Sequence, residues 1–293
     1  MQKPILITGA TGTIGHFLKQ ELLSAHHPVR LAVRNPKKFS DEDKALVEAV
    51  YFDYKDQDSR KQALQGIEQL FWLTPSPTQM KAAETFDEIA VATEFLAEMK
   101  QVGVQHIVRI SGMGADQYKE SPHFQVEELL RKSGIAYTIL RPAFFMQIFS
   151  SYYRDGIKKE NRIHVYDAGV REAFVDARDI AAVAAKSFLD PSHRQQIYTL
   201  TSSELLNYAD IADLLTKTLN REITYTAQSD TDSMNTLTNS GWEQKAAEIY
   251  IMFLQAAQQG VFSVLTNDVK KVLGRDPISF QQYVKDYASM WLS

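Results

Sequence analysis

The sequence predicts an α/β protein, a doubly wound parallel sheet with a small, mostly helical C-terminal lobe. Three observations carry that expectation. Short apolar runs alternate with helix-spaced patterns through the first half of the chain, the rhythm of successive strand–helix–strand units. The first run, Pro4-Ile5-Leu6-Ile7, leads into Thr8-Gly9-Ala10-Thr11-Gly12-Thr13-Ile14-Gly15 and an amphipathic segment bearing Phe17, Leu18, Leu22 and Leu23. Beyond Phe149 the alternation loosens and the tail reads as helices.

In chain order, strands are expected at residues 5–8, 29–33, 47–52, 69–73, 106–110 and 137–140. A helix over 86–102 places Ile89, Ala92, Thr93, Leu96 and Met99 at helical spacing and stops at Gly103, the usual place for a left-handed cap. Ser121-Pro122 opens another, with Ser121 as N-cap and Pro122 in the first turn. Farther on, 163–166, 173–175 and 197–200 read as short strands. Residues 179–189, 208–219, 242–258, 267–273 and 280–292 read as helices. No repeat or low-complexity linker interrupts the chain. The expected division is therefore a first domain of 1–150 with a returning segment at about 173–205, and a lobe made of 151–172 and 206–293.

Composition narrows the function classes. The 293 residues suffice for one large core or for a core domain plus a lobe. A net charge of −4 without a long basic run argues against nucleic acid as a partner. No cysteine is present, which excludes disulfides, thiolate metal sites and a cysteine nucleophile and fits a reducing compartment. No apolar run approaches a membrane span, and a strand with its glycine loop opens the chain with no signal peptide ahead of it. The expectation is a cytoplasmic protein with no membrane, nucleic-acid or metal partner, acting on a small molecule, with a protein partner or a homo-oligomer left open.

The loop after the first strand is the strongest chemical signal. Gly9 permits a tight turn, Gly12 lets backbone amides approach phosphate oxygens, and Gly15 lets the helix lie close on the strand, where its N-terminus favours an anion. Thr11, Thr13 and Ile14 belong to the same cradle, so the loop is expected to hold the pyrophosphate of a dinucleotide. The second strand ends in Arg34-Asn35-Pro36-Lys37-Lys38, without the acid that would accept from a ribose 2′-OH. Arg34 offers a planar fork to a 2′-phosphate and Lys37 or Lys38 adds charge, so NADP(H) is expected over NAD(H). The alternative is a solvated turn. Asp53 closes the third strand, either as an adenine contact or as a helix cap for the stretch toward Ala63-Leu64. Leu73, Thr74 and Pro75 are expected to wall the cofactor, with Phe71 and Trp72 in the core.

Ser111, after the fifth strand, is placed to bond a substrate carbonyl or the nicotinamide amide. Catalytic serines of short-chain dehydrogenases work with a Tyr-x-x-x-Lys pair, in which lysine lowers the tyrosine pKa. No such pair follows Ser111, and Tyr51 and Lys55 have the spacing but straddle a strand end. In its place stand His123 and Glu127, one helical turn apart, where the carboxylate could orient the imidazole. His123 is thus a candidate for holding the cofactor or moving a proton, beside the plainer reading of a surface His–Glu pair.

With these pieces in place, the chain resembles the NmrA-like family of atypical short-chain dehydrogenase/reductase proteins along most of its length. The resemblance rests on the glycine loop, Val33-Arg34-Asn35-Pro36, His123-x-x-x-Glu127, Tyr137-Thr138-Ile139-Leu140-Arg141-Pro142-Ala143-Phe144-Phe145-Met146-Gln147 and Phe174-Val175-Asp176-Ala177-Arg178-Asp179. Thr266-Asn267-Asp268-Val269 and Gly274-Arg275-Asp276-Pro277 extend it. It implies a Rossmann domain holding NAD(P) and a C-terminal lobe closing a cleft, with Pro142, Ala143, Phe144 and Phe145 beside the nicotinamide. It also implies either an NADPH-dependent reductase of quinones, dyes or related flat aromatics, or a redox sensor that binds the dinucleotide and a protein partner. The chain departs from some reductase members in having His123 where they carry lysine, and Glu94 where members often carry asparagine. Both departures weaken a side-chain proton relay. A nucleotide-sugar epimerase shares the loop but needs the missing base. The expected activity is therefore hydride transfer to a quinone-type acceptor, with Ser111 and His123 as the candidate catalytic groups.

Overall fold

The computed structural model describes residues 2–39, 45–74, 87–165, 169–239 and 241–292. They fall into two compact units, one with the described residues of 2–74, 87–142 and 177–199, the other with those of 143–165, 169–176 and 200–292. The segment expected to return to the first domain is shared: 177–199 lies in the first unit, while 173–176 and 200–205 lie in the second.

The first unit is built on a seven-stranded sheet of Rossmann type. Its strands are β1 (Ile5–Thr8), β2 (Val29–Val33), β3 (Val47–Tyr51), β4 (Gln69–Trp72), β5 (His106–Ile110), β6 (Ala136–Pro142) and β10 (Gln196–Leu200), in the order β10-β6-β5-β4-β1-β2-β3. The pairs from β3 through β6 are parallel, with Ile5 opposite Val29 and Gln69, and Ile107 opposite Tyr137. Strands covered on both faces are rich in apolar residues, and all four residues of β1 and all five of β5 are buried, the polar His106 and Arg109 of β5 among them. Leu6, Leu70, Trp72, Ile107 and Ile139 join one core with α2 (Gln57–Leu64), α3 (Glu88–Val102) and α4 (Pro122–Lys132). On α1 (Thr13–Ser24) the buried residues are Ile14, Gly15, Leu18, Lys19 and Leu22, and this helix packs against α5 (Ala177–Leu189).

The helix ends follow the local chemistry. Ser121 accepts from Phe124 N with Pro122 in the first turn of α4, and Gly103 closes α3 at φ +81°. The helix after β3 is capped by Asp56, which accepts from Asp58 N and Ser59 N. This corrects the cap reading of Asp53, whose carboxylate instead accepts from Lys55 N at 2.9 Å within the turn.

The second unit holds a three-stranded sheet, β11 (Leu205–Leu206), β9 (Glu172–Val175) and β7 (Phe144–Phe145), and a parallel pair, β8 (Arg162–Val165) with β12 (Thr224–Ala227). Its helices are α6 (Tyr208–Leu219), α7 (Asp230–Asn239), α8 (Gln244–Gln258), α9 (Asp268–Leu273) and α10 (Phe280–Tyr287). Its core is aromatic: Phe149, Phe174, Phe280, Tyr283 and Trp291 are buried together, and Trp291 Nε1 donates to Phe149 O at 2.9 Å. Helix α7 and strand β12 were not expected from the sequence. The expected final helix over 280–292 ends at Tyr287 and continues as one 3-10 turn, Ala288–Met290.

Candidate functional site

The strand order reverses between β1 and β4, which lie side by side although α1, β2, β3 and α2 separate them in sequence. Ligands of such sheets bind at the carboxyl ends of the strands near that reversal, and the glycine loop stands there. Gly9 has φ +66°, a left-handed conformation that favours glycine, and Gly12 N donates to Gly9 O at 2.9 Å. A Cβ at Gly15 would collide with Gly9 O and lie 2.7 Å from Ala10 Cα, so the loop folds back directly onto the helix. Gly12 is the N-cap of α1 and has no side chain to cap with, so first-turn amides are left for a ligand. Thr11 and Thr13 are exposed and Ile14 is buried. The cradle therefore fits a pyrophosphate.

Thr8 anchors the loop to β4. Its Oγ1 lies 3.0 and 3.2 Å from Phe71 O and Leu73 O, which share its one proton, and accepts from Leu73 N at 2.8 Å. This places the half-buried Leu73 against the turn, where a Cβ at Gly9 would lie 2.9 Å from Leu73 Cδ2. Tyr54 is buried and donates to the same Leu73 carbonyl at 2.9 Å, and desolvation by burial holds its phenol well above the ordinary tyrosine range. Phe71 and Trp72 are fully buried, as expected. Pro75 lies outside the described residues.

At the end of β2, Arg34, Lys37 and Lys38 are all exposed, and the two lysines sit in a 3-10 turn. Asp53 is half-buried at the neighbouring end of β3, where Phe52 N donates to Val33 O at 3.0 Å. Arg34 and Asp53 thus sit at adjacent strand ends.

The ends of β4 and β5 carry two matching networks. Thr74 Oγ1 donates to Glu88 Oε1 at 2.8 Å, and Arg109 Nη2 donates to the same oxygen at 2.7 Å while its guanidinium stacks 4.6 Å from the Trp72 ring. Ser111 Oγ donates to Glu127 Oε1 at 2.5 Å. Arg141 grips that carboxylate with both Nε, at 3.0 Å, and Nη2, at 2.6 Å, and its Nη1 pairs with Asp116 at 2.9 Å. Each network joins a hydroxyl at one strand end, a glutamate on the following helix and an arginine on the next strand.

These bonds revise the expected His123–Glu127 pair. Both Glu127 oxygens face Ser111 and Arg141, so no hydrogen bond to Glu127 orients the imidazole. His123 lies instead beside Gly112, where a Cβ would come within 3.6 Å of its Cδ2, and the residue is exposed. Desolvation lowers its pKa, opposed by Glu88, assisted by Arg109 and opposed again by Glu127. Glu94 pairs with Arg60 at 2.8 Å on the seam between α2 and α3. Pro142 is buried and its carbonyl accepts from Met113 N at 3.0 Å. Phe145 lies in β7 of the second unit, half-buried, and the adjacent Phe144 ring packs 4.4 Å from Phe262. In that unit, α8 brings Tyr250 and Leu254 to a small hollow shared with Tyr152, Tyr153 and His164.

The glutamate–arginine networks were missed in the sequence, although it carries a signal for them. A lone arginine inside an apolar strand, as in His106-Ile107-Val108-Arg109-Ile110, requires a buried acid. No spacing rule says which acid supplies it.

Residues 1–284 match the NmrA-like family. The chain belongs to it. This NmrA-like protein is 28% identical over 293 residues to the uncharacterized oxidoreductase YesF of Bacillus subtilis, covering 100% of this chain and 98% of that protein. It is 27% identical to the NAD(P)H azoreductase of Xenophilus azovorans over 97% of this chain and 98% of that one. Among solved structures it is similar to the quinone oxidoreductase QOR2 of Escherichia coli in complex with NADPH. There the TM-score is 0.82 with 23% identity, over 97% of this chain and 99% of that one, a likeness of fold.

Proposed function

We propose that the protein is an NADPH-dependent oxidoreductase that passes hydride to a small, flat, electron-poor acceptor of quinone type. The single observation that carries the reading is the uncapped start of α1 behind the Gly9–Gly15 turn, with the exposed Arg34 in place of an acid at the end of β2. An amide cradle beside a free guanidinium suits a dinucleotide bearing an extra phosphate. The names of the relatives support oxidoreductase chemistry with a nicotinamide cofactor.

Gly12, Thr13 and Ile14 would hold the pyrophosphate through backbone amides, Arg34 with Lys38 the 2′-phosphate, and Leu73 and Thr74 one wall. NADPH, once bound, supplies the hydride. The protein's part is to orient and to exclude water. A quinone suits this chain because its reduced oxygens take protons from water, and neither Thr74 nor Ser111 has a proton to spare. The test is NADPH oxidation against a panel of quinones and dyes. Turnover of at least one acceptor above background is expected. Tight NADPH binding with no turnover of any acceptor would overturn the reductase reading and favour a sensor of the NADP(H) state, the reading in which a protein partner would be sought.

A further inference from the structure

Ser111 occupies the place of a catalytic serine, yet its hydrogen-bond polarity is the reverse of what a proton-donating serine needs. A serine hydroxyl has one proton and two acceptor lone pairs. Here the proton goes to Glu127 Oε1 at 2.5 Å. Glu127 cannot release it to another arrangement, because the carboxylate is fully buried and held by Arg141 through two hydrogen bonds. Arg141, itself buried, is anchored in turn by Asp116 at 2.9 Å. Arginine donates only, so nothing in the network can supply a proton to reverse the Ser111 bond. Among the described residues Ser111 Oγ accepts no hydrogen bond, and its lone pairs remain to be filled. At the end of β4 the Thr74 proton is committed to Glu88 in the same way.

We propose that Glu127 is a positioning residue that makes Ser111 a hydrogen-bond acceptor only, so that the end of β5 receives an N–H group, the carboxamide of the nicotinamide, and gives no proton to the hydride acceptor. The inference rests on the cofactor reading above. It assigns Ser111 to cofactor selection and removes it from proton transfer. A carbonyl brought to the same place would set two acceptors against each other, which costs the desolvation of both.

The experiment compares binding of NADPH with binding of the analogue in which an acetyl group replaces the carboxamide, by fluorescence titration, with 2′,5′-ADP as a control for the adenosine half. The intact protein is expected to favour NADPH by about 10-fold, the order expected for one well-placed hydrogen bond. In Ser111→Ala the two affinities should fall to within about 2-fold of each other, with 2′,5′-ADP affinity unchanged. In Glu127→Gln the side-chain amide can keep its oxygen toward Arg141 and donate to Ser111 Oγ, which frees the serine proton. The preference should then shift toward the acetyl analogue beyond the Ser111→Ala value. A merely structural role for Glu127 would weaken both ligands alike and leave their ratio unchanged. Where Glu127→Gln does not fold, the Ser111→Ala ratio decides.

A wild-type ratio near one, or a Ser111→Ala protein that keeps the wild-type ratio, overturns the proposal. Failure of the wild type to bind either NADPH or 2′,5′-ADP is a different result, which removes the cofactor reading beneath it.

Discussion

On the proposed reading, Arg34 would set the choice between two cofactors that differ by one phosphate. Its guanidinium is exposed at the end of β2 and makes no ion pair among the described residues, so its planar fork is free for bidentate contact. Arg34→Ala should weaken NADPH about 10-fold and leave NADH within about 2-fold, since a charge-assisted hydrogen bond at a partly exposed site contributes on the order of 1.5 kcal/mol. Paired dissociation constants measure it, and equal losses for both cofactors would return Arg34 to a solvated turn. The glycine loop was legible because its geometry is local. A positive φ at Gly9 and a close approach at Gly15 are demands that a short stretch of sequence states by itself. Ser111 was placed at its strand end by the sequence pattern, but the direction of its hydrogen bond to Glu127 was not legible there. What fixes its proton is a glutamate sixteen residues on, itself fixed by an arginine fourteen residues farther still.

The joints between elements carry their own tests. At the start of α1, Gly15→Ala would push a methyl group into Gly9 O and Ala10 Cα, both backbone atoms that cannot swing aside. The loop must open, so the variant should lose at least about 10-fold in NADPH affinity and on the order of 1–3 kcal/mol in stability. Unchanged NADPH titration and urea denaturation would show that the loop does not hold the cofactor through this packing. Between α2 and α3, Arg60 is buried and donates to both oxygens of the buried Glu98. Glu94, bound to the same guanidinium, is 62% exposed and contributes little. Arg60→Met should cost about 3–5 kcal/mol by stranding Glu98, and Arg60→Met with Glu98→Leu should recover most of it, because a well-packed apolar pair can replace a buried ion pair. Urea denaturation of the single and double variants separates the two. The inner strands β1, β4 and β5 were readable to within about one residue because burial of nearly all their residues makes them mostly apolar. Strand β12, Thr-Tyr-Thr-Ala with every residue exposed, has no such pattern. Helix α7, Asp230–Asn239, has few apolar positions, and only its start is written locally: Asp232 N donates to Ser229 Oγ at 3.1 Å.

At the scale of the whole molecule, stability should depend on one buried imidazole at the opposite end of the sheet from the candidate site. His106 opens β5 with no exposed surface, and its Nε2 lies 2.9 Å from Thr138 Oγ1. Thr138 gives its only proton to His193 O at 2.7 Å, so His106 must donate through Nε2, which fixes its neutral tautomer. Its Nδ1 is buried without a partner among the described residues, so a proton added there would find no acceptor. Desolvation, with Arg194 and His193 adding repulsion, pushes the pKa down to about 4. For a base with a depressed folded-state pKa, the unfolded chain binds more protons between pH 4 and 6.5. Stability is therefore complete above pH 6.5 and falls as the pH drops toward 4. Between pH 7 and pH 5 this one residue should remove about 2 kcal/mol. His106→Gln keeps an N–H donor for Thr138 and cannot take up a proton. Its unfolding free energy should lose about 2 kcal/mol less than the wild type over the same two pH values, whatever its stability at pH 7. Parallel losses in the two proteins, measured by urea denaturation at pH 7 and pH 5, would mean that His106 is not the group that titrates.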